Sequence, residues 1–284
     1  MKVFNTVTEV TEHINQLKNN DKKIGLIPTM GALHKGHMSL IDTAKEQTDC
    51  VVVSIFVNPK QFNNPSDLEG YPRTVEQDLK ILENQGCDIV FCPNESAIYP
   101  KNYQLLPLQL GFLDESMEGK YRPGHFVGVV NVVHRLFEIV QPDKAFFGRK
   151  DFQQVAVIKF MVDEFNLPVE VVSCETYREK SGLAFSSRNM RLTEKQKGDA
   201  KIIYETLSRG RKLALTHTPE ETSKKMKSHL NNDGKLELEY LEIVDPKNLR
   251  PLKQDWVPGA TACIAAYCGE IRLIDNLQLT DEKV

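Results

Sequence analysis

With 284 residues, 40% of them hydrophobic and 26% charged, the chain has the composition of a folded globular protein rather than a disordered or collagen-like one. Its 36 basic and 39 acidic side chains leave a formal charge of −3, so no overall basic field draws nucleic acid. The greasiest stretches, 51–57 and 126–140, are short or broken by Asn131, His134 and Arg135, so no membrane span is expected.

The N-terminus lacks a basic segment followed by an apolar run, and the six cysteines form no CxxC pair. A cytoplasmic protein with reduced, buried thiols is expected, with neither nucleic acid nor membrane as partner.

In chain order, Val7, Val10, Ile14 and Leu17 recur at helical spacing behind Thr6 and Glu9, which read as a capping box, so a helix opens the chain. A strand at 24–27, a Gly-containing turn, a helix at 39–48 and a strand at 51–57 follow. The last of these is apolar throughout, as in a sheet covered on both faces. A helix at about 75–85, with Thr74 and Gln77 read as a second capping box, leads to a strand at 89–92. Beyond a Pro-rich passage come a helix near 127–140, a strand at 145–147, a helix at 152–165 and a strand at 169–174. This alternation predicts an α/β fold with a doubly wound parallel sheet, whose ligands bind beyond the carboxyl ends of the strands. From about Thr193 two polar helices (194–216 and 219–231) and strands at 236–244, 262–267 and 271–274 predict a smaller α+β domain. The boundary falls near residue 176, which divides the chain into 1–176 and 177–284.

Three segments could carry chemistry. Pro28-Thr29-Met30-Gly31-Ala32-Leu33-His34-Lys35-Gly36-His37 is a glycine-containing turn next to a helix N-terminus, where backbone N–H groups can approach an anion and two histidines can face one ligand. The same residues could simply cap the helix, or supply half of a zinc site, although no third ligand lies close by. In Phe147-Gly148-Arg149-Lys150-Asp151-Phe152-Gln153-Gln154, Lys150 could meet phosphates and Gln154, one turn on, could offer neutral hydrogen bonds; a solvated charged turn is the plainer alternative. Gly182-Leu183-Ala184-Phe185-Ser186-Ser187-Arg188-Asn189 suits a phosphate clamp but also resembles any serine-rich surface loop. The nucleotide-binding patterns GxGxxG and GxxxxGK[ST] are both missing.

The ordered series PTMGALHKGH (28–37), FVNPKQF (56–62), YPRT (71–74), YRPGHFVGV (121–129), FGRKDFQQ (147–154) and GLAFSSRN (182–189) resembles the pantothenate synthetase (pantoate–β-alanine ligase) family. His34-Lys35-Gly36-His37 is similar to the HIGH signature of the wider nucleotidyltransferase superfamily, and the Ser-Ser-Arg loop to its KMSKS counterpart. The resemblance implies a Rossmann-like N-terminal domain, a smaller C-terminal lid, a homodimer, and ATP-dependent joining of pantoate to β-alanine through pantoyl adenylate, with release of AMP and pyrophosphate.

It further implies an ATP site of Met30, His34, Gly36, His37, Gly148, Arg149, Lys150, Asp151, Tyr177, Phe185, Ser186, Ser187 and Arg188, with His34, His37, Lys150 and Arg188 catalytic. Gln61, Gln154 and Arg122 would bind pantoate and β-alanine, Mg²⁺ would arrive with the triphosphate, and Asp78 would be its protein ligand or else a solvated helix carboxylate. Phe185, where methionine is common, and the extra charges Lys60 and Arg149 depart from the family pattern. Another adenylate-forming transferase of the same superfamily, or a nucleotide-binding regulatory module without turnover, are the competing readings.

Overall fold

The computed structural model of the chain describes residues 1–281; residues 282–284, the end of the expected second domain, lie outside the described residues. The chain begins with a short strand, β1 (Lys2–Phe4), ahead of the expected helix α1 (Val7–Lys18). Three residues are too few to show a strand period, which is why β1 was invisible in the sequence. Thr6 does cap α1, its Oγ1 accepting from the Glu9 N–H, but Glu9 returns only a side-chain contact, so the expected capping box is half formed.

β2 (Ile24–Thr29), α2 (Lys35–Gln47) and β3 (Cys50–Ile55) build the first crossover unit, and β3 is buried at every residue. A 3₁₀ turn at Pro59–Gln61 and the short helix α3 (Pro65–Glu69) follow, then α4 (Val75–Asn84) and β4 (Ile89–Phe91). Thr74 makes no side-chain cap on α4; its hydroxyl donates instead to Asp78 Oδ2 at 3.1 Å, which corrects the second expected capping box. Short helices α5 (Glu95–Ile98), α6 (Phe112–Glu115) and α7 (Met117–Tyr121) lead to α8 (His125–Val140), β5 (Lys144–Gly148), α9 (Phe152–Glu164) and β6 (Glu170–Cys174).

The six strands pair in parallel in the order β1-β4-β3-β2-β5-β6. The chain winds outward from β2 through β3 to β4, and in the other direction from β5 to β6, so the sheet changes direction between β2 and β5. Both faces are covered: Val10 and Ile14 of α1 pack with α8 and α9 on one side, and Leu40, Ile41, Ala44 and Leu82 from α2 and α4 pack on the other.

Beyond Cys174 the expected long helix is broken at Ala200 into α10 (Glu194–Asp199) and α11 (Lys201–Leu213) and is followed by α12 (Pro219–Asp233). β7 (Glu237–Val244), β8 (Thr261–Cys268) and β9 (Ile271–Gln278) form an antiparallel sheet in that order, with β9 reaching four residues further than expected. One face of this sheet packs on α11 and α12 through Ile203, Leu207, Met226 and Leu230. The other, through Tyr240, Cys263 and Ala265, meets Met117, Phe152 and Ala156 of the first half.

A buried ionic cluster reinforces that junction. Glu118 receives two hydrogen bonds from Arg272 (2.6 and 2.9 Å) and one from the Tyr240 hydroxyl (2.8 Å). Burial alone would raise the Glu118 carboxyl, but Arg272 and Arg122 hold it below the usual carboxylate range.

Candidate functional site

The change of direction between β2 and β5 opens a cleft at the carboxyl ends of these strands, lined by residues drawn from the segments 28–37, 146–154 and 175–188 and from α8. The space enclosed by these segments, open solvent included, is ≈ 1450 Å³. All of the expected ATP-side residues except Arg149 line it, as do Gln61, Gln154 and Arg122.

The first wall is the loop between β2 and α2. Helix α2 begins at Lys35, a turn earlier than expected, with His34 as N-cap; histidine is not a usual cap, and so the start was missed. The His34 Nδ1 accepts from the Gly36 N–H at 3.1 Å, and the His37 Nδ1 accepts from the His34 N–H at 3.2 Å. Each neutral ring therefore carries its proton on Nε2, leaving that N–H for the cleft. Burial, and then the Lys150 ammonium, push His34 down to about 4; burial, then His34 and Lys150, push His37 to about 3. Near neutral pH both are uncharged donors at a helix N-terminus, with ring centres 4.1 Å apart and planes tilted by 34°.

The loop ahead of them is held in an unusual shape. Gly31 and Ala32 both have positive φ (79° and 51°), a conformation that alanine adopts at a cost. Asp78 supplies the restraint: Oδ2 accepts from the Ala32 N–H at 3.0 Å and Oδ1 from the Leu33 N–H at 2.8 Å. The carboxylate is 1% exposed and does not line the cleft, so it is not the solvated helix carboxylate of the alternative expectation, and its partners are the loop N–H groups. Both of its oxygens are engaged, and among the described residues no group of three or more His, Cys, Asp or Glu could hold a metal. A protein cage for the ion is therefore not what this donor set fits.

The second wall follows β5. Lys150 projects into the cleft with Asp151 beside it, Nζ to Oδ1 3.7 Å. Arg149, expected among the ATP ligands, has its side chain turned away from the cleft: its guanidinium donates to Glu175 at 3.0 Å and to Gln278. The neighbouring glutamines divide their tasks. Gln153 is buried and holds the α6–α7 segment through Leu113 O, Ser116 O and the Glu118 N–H, whereas Gln154 faces the cleft.

The third wall is the loop before α10. Ser186, Ser187 and Arg188 all reach the cleft, and Arg188 Nη2 lies 3.5 Å from Asp67 on α3. Phe185 packs between the rings of Tyr177 and His34, with centroids at 5.4 and 6.1 Å. An aromatic ring thus fills the place where methionine is common in the family, while the extra charge of Lys60 lies over the Tyr99 ring, 4.9 Å from its centre, and does not line the cleft.

The inner end combines amides with an apolar floor. Gln61 Oε1 accepts from Asn58 Nδ2 at 3.1 Å, and its Nε2 contacts the Met30 sulfur at 3.3 Å. The 3₁₀ turn that presents Gln61 lies directly on α8, where a Cβ at Gly128 would fall 2.3 Å from the Lys60 carbonyl oxygen, so only glycine permits the approach. Val129, Val132, Val133 and Leu136 supply the floor.

Two residues of this end were not singled out from the sequence although both lie inside the quoted motifs. Asn58 donates to the Gly128 carbonyl and accepts from the Tyr99 hydroxyl. His125, pushed to about 4 by burial and then by Arg122, lies 2.8 Å from the Gln61 carbonyl through Nδ1 and 3.1 Å from Arg122 Nη1 through Nε2. A neutral ring protonated on Nδ1 satisfies both, donating to Gln61 and accepting from Arg122, and so links two of the expected substrate residues.

The profile of the family described as pantoate-beta-alanine ligase matches residues 2–278. A pantothenate synthetase of Porphyromonas gingivalis is 47% identical over 283 residues, covering 99% of this chain and all of its own, and one of Bacteroides thetaiotaomicron is 43% identical over 284 residues, covering 98% and 99%. Among solved structures, a Thermus thermophilus pantothenate synthetase superposes with a TM-score of 0.92 at 39% identity, covering 99% of this chain and 100% of its own. A Francisella tularensis pantoate-beta-alanine ligase complexed with beta-gamma ATP and beta-alanine reaches 0.80 at 38% identity, with 98% of each chain covered. Matched from its second residue to the end of β9, and carrying the family's motifs on the walls of one cleft, the chain belongs to the pantoate–β-alanine ligase family.

Proposed function

We propose that the protein joins pantoate to β-alanine at the expense of ATP, forming pantothenate, AMP and pyrophosphate through pantoyl adenylate. The observation that carries this reading is the meeting of two neutral histidine donors, Lys150 and the Ser186–Arg188 loop across a cleft whose inner end is amide and apolar. The first part suits a polyphosphate. The second suits a small acid with two hydroxyls and two methyl groups, for which Gln61 and Gln154 provide hydrogen bonds and the valines of α8 a dry surface.

In the first step a pantoate carboxylate oxygen attacks the α-phosphorus and pyrophosphate departs. No base is needed, because a carboxyl with a reference pKa near 4 is already ionised at neutral pH. The requirement is in-line placement and neutralisation of growing negative charge. Lys150 and Arg188 bring full charges, while the Nε2–H groups of His34 and His37 bring oriented hydrogen bonds. In the second step the β-alanine ammonium gives up a proton to solvent, the freed amine attacks the adenylate carbonyl, and the acyl C–O bond breaks to release AMP as the nitrogen loses its second proton to form the amide.

Magnesium is assigned to MgATP as the form of the substrate, with Asp78 as a loop anchor. The division near residue 176 is supported by the end of the parallel sheet at Cys174, the second part acting as a lid through its Ser-Ser-Arg loop. A homodimer and a cytoplasmic location complete the proposal; no described helix is long and apolar enough to cross a membrane.

The test is product analysis with ATP, pantoate and β-alanine, each omitted in turn. Equal amounts of pantothenate, AMP and pyrophosphate are expected only with all three present, and ADP plus phosphate as the products would overturn the adenylate route.

A further inference from the structure

Strand β9 alternates buried and half-buried residues until Asp275 and Asn276, two adjacent polar side chains that are each only 4% exposed. Neighbours on a strand point to opposite faces, so the pair addresses two different segments. Asp275 binds Arg178 through two hydrogen bonds of 2.6 and 2.9 Å. The same guanidinium donates to the Asn276 carbonyl at 3.0 Å and the Gly182 carbonyl at 3.1 Å, and lies over the Tyr204 ring. Arg178 also bridges to Ala184, so it forms the root of the loop that presents Ser186, Ser187 and Arg188.

Asn276 reaches the other way. Its Nδ2 donates to the Arg149 carbonyl at 2.9 Å and to the Lys150 carbonyl at 2.8 Å. These two carbonyls belong to the 3₁₀ turn that aims Lys150 into the cleft, and one amide nitrogen satisfies both. Lys150 and the Ser-Ser-Arg loop come from distant parts of the sequence and from opposite sides of the cleft, yet both hang from one dipeptide.

We infer that Asp275 and Asn276 are positioning residues that set the Lys150 turn and the Ser186–Arg188 loop in register, so that both meet the same phosphates. The inference rests on the phosphate roles proposed above for those two segments. A flexible lysine held on a loose turn loses its advantage of orientation, so a fault in β9 is felt at the nucleotide. The small sheet is then part of the ATP site although neither side chain is placed in contact with the nucleotide.

The experiment is a double-mutant cycle on ATP affinity, measured by calorimetry, between Asn276 and Lys150. Asn276→Asp keeps the shape but replaces the one NH₂ group with a carboxylate oxygen that faces two carbonyl oxygens. Expected is a weakening of ATP of about tenfold in the otherwise unchanged protein and less than twofold when Lys150→Ala is already present, since a residue that acts through another shows non-additivity. Asp275→Asn should likewise matter little once Arg188→Ala is in place. Asn276→Ser, which keeps a donor, guards against misfolding and should lie between the parent and Asn276→Asp.

Multiplying effects in both backgrounds, or ATP affinity in Asn276→Asp and Asn276→Ser equal to that of the parent, would overturn the inference. If the cycle is non-additive while pantoate elicits no pyrophosphate exchange, the positioning role stands and the pantoate reading falls.

Discussion

Asp78 separates two accounts of the same acidic residue, a loop anchor or a metal ligand, and Asp78→Asn decides between them. The carboxylate accepts from two consecutive backbone N–H groups, at 3.0 and 2.8 Å, and from the Thr74 hydroxyl at 3.1 Å, in a site 1% exposed. Asparagine is nearly the same size but has one acceptor oxygen, and its NH₂ group would be set against the second N–H. Losing a charge-assisted hydrogen bond costs about 1.5–3 kcal/mol, and leaving a buried N–H without a partner about 1–3 kcal/mol more. Relaxation of the loop returns part of this, so a net loss of ~3 kcal/mol is expected.

The loop moves because Ala32, at φ 51°, is held in a left-handed conformation that costs on the order of 1–2 kcal/mol once the restraint is gone. His34 and His37 follow immediately and lose their aim, so adenylate formation should fall together with stability. The assay pairs melting without nucleotide or metal with pantoate-dependent exchange of labelled pyrophosphate into ATP at ordinary and at excess Mg²⁺. Expected are a lower melting temperature in the metal-free protein and a slow exchange that extra Mg²⁺ does not restore. A variant that melts like the parent, and whose exchange recovers with Mg²⁺, would refute the anchor and return Asp78 to the metal.

Other perturbations act on the remaining walls. Lys150→Ala and His34→Ala should each slow pyrophosphate exchange roughly 100- to 1,000-fold, the usual loss for one well-placed electrostatic donor, with unchanged circular dichroism; near-normal exchange in both would misplace the phosphate site. Gln154→Glu puts an anion beside the pantoate carboxylate, and two such charges about 4 Å apart at an effective dielectric near 20 repel by roughly 4 kcal/mol. Calorimetry should then show pantoate binding nearly abolished and ATP binding little changed. His34, His37 and His125 are held at about 4, 3 and 4, below the unfolded value of 6.5, so their contribution to stability is present above pH 6.5 and is lost as pH falls toward 4. Near pH 5.5 each should cost about 1.4 kcal/mol in urea unfolding relative to neutral pH, and a stability unchanged between the two would show that the rings are not held neutral.

Much of the fold was legible because long apolar runs report themselves. β3, buried on both faces, reads as an unbroken run, and the recurring strand and helix pattern implies a parallel sheet open at its carboxyl edge. Failures occur where local signals compete with tertiary ones. Thr74 and Gln77 have the spacing of a capping box, yet Asp78 draws the threonine hydroxyl because it is already fixed by the loop after β2. The start of α2 is hidden because its cap is a histidine, stabilised by a second histidine one turn on rather than by an intrinsic preference.

The cleft obeys the same division. His34, Lys150 and the Ser-Ser-Arg loop stand out as phosphate-compatible types, each with a plainer alternative, and the ordered motif series singles them out together. Asp78, His125 and Asn276 act on the backbone or the side chains of others, and nothing in their immediate sequence announces a partner 46, 64 or 126 positions away. Arg149 is the converse: its place beside Lys150 suggests a phosphate ligand, but Glu175 and Gln278, which sequence cannot bring near, draw it out of the cleft. Charge alone therefore does not place a residue at the cleft: Arg188 and Lys150 line it even with Asp67 and Asp151 beside them, whereas the partners of Arg149 hold it outside. Asn276 bonds the Lys150 turn through its carbonyls, which leaves the ammonium in the cleft.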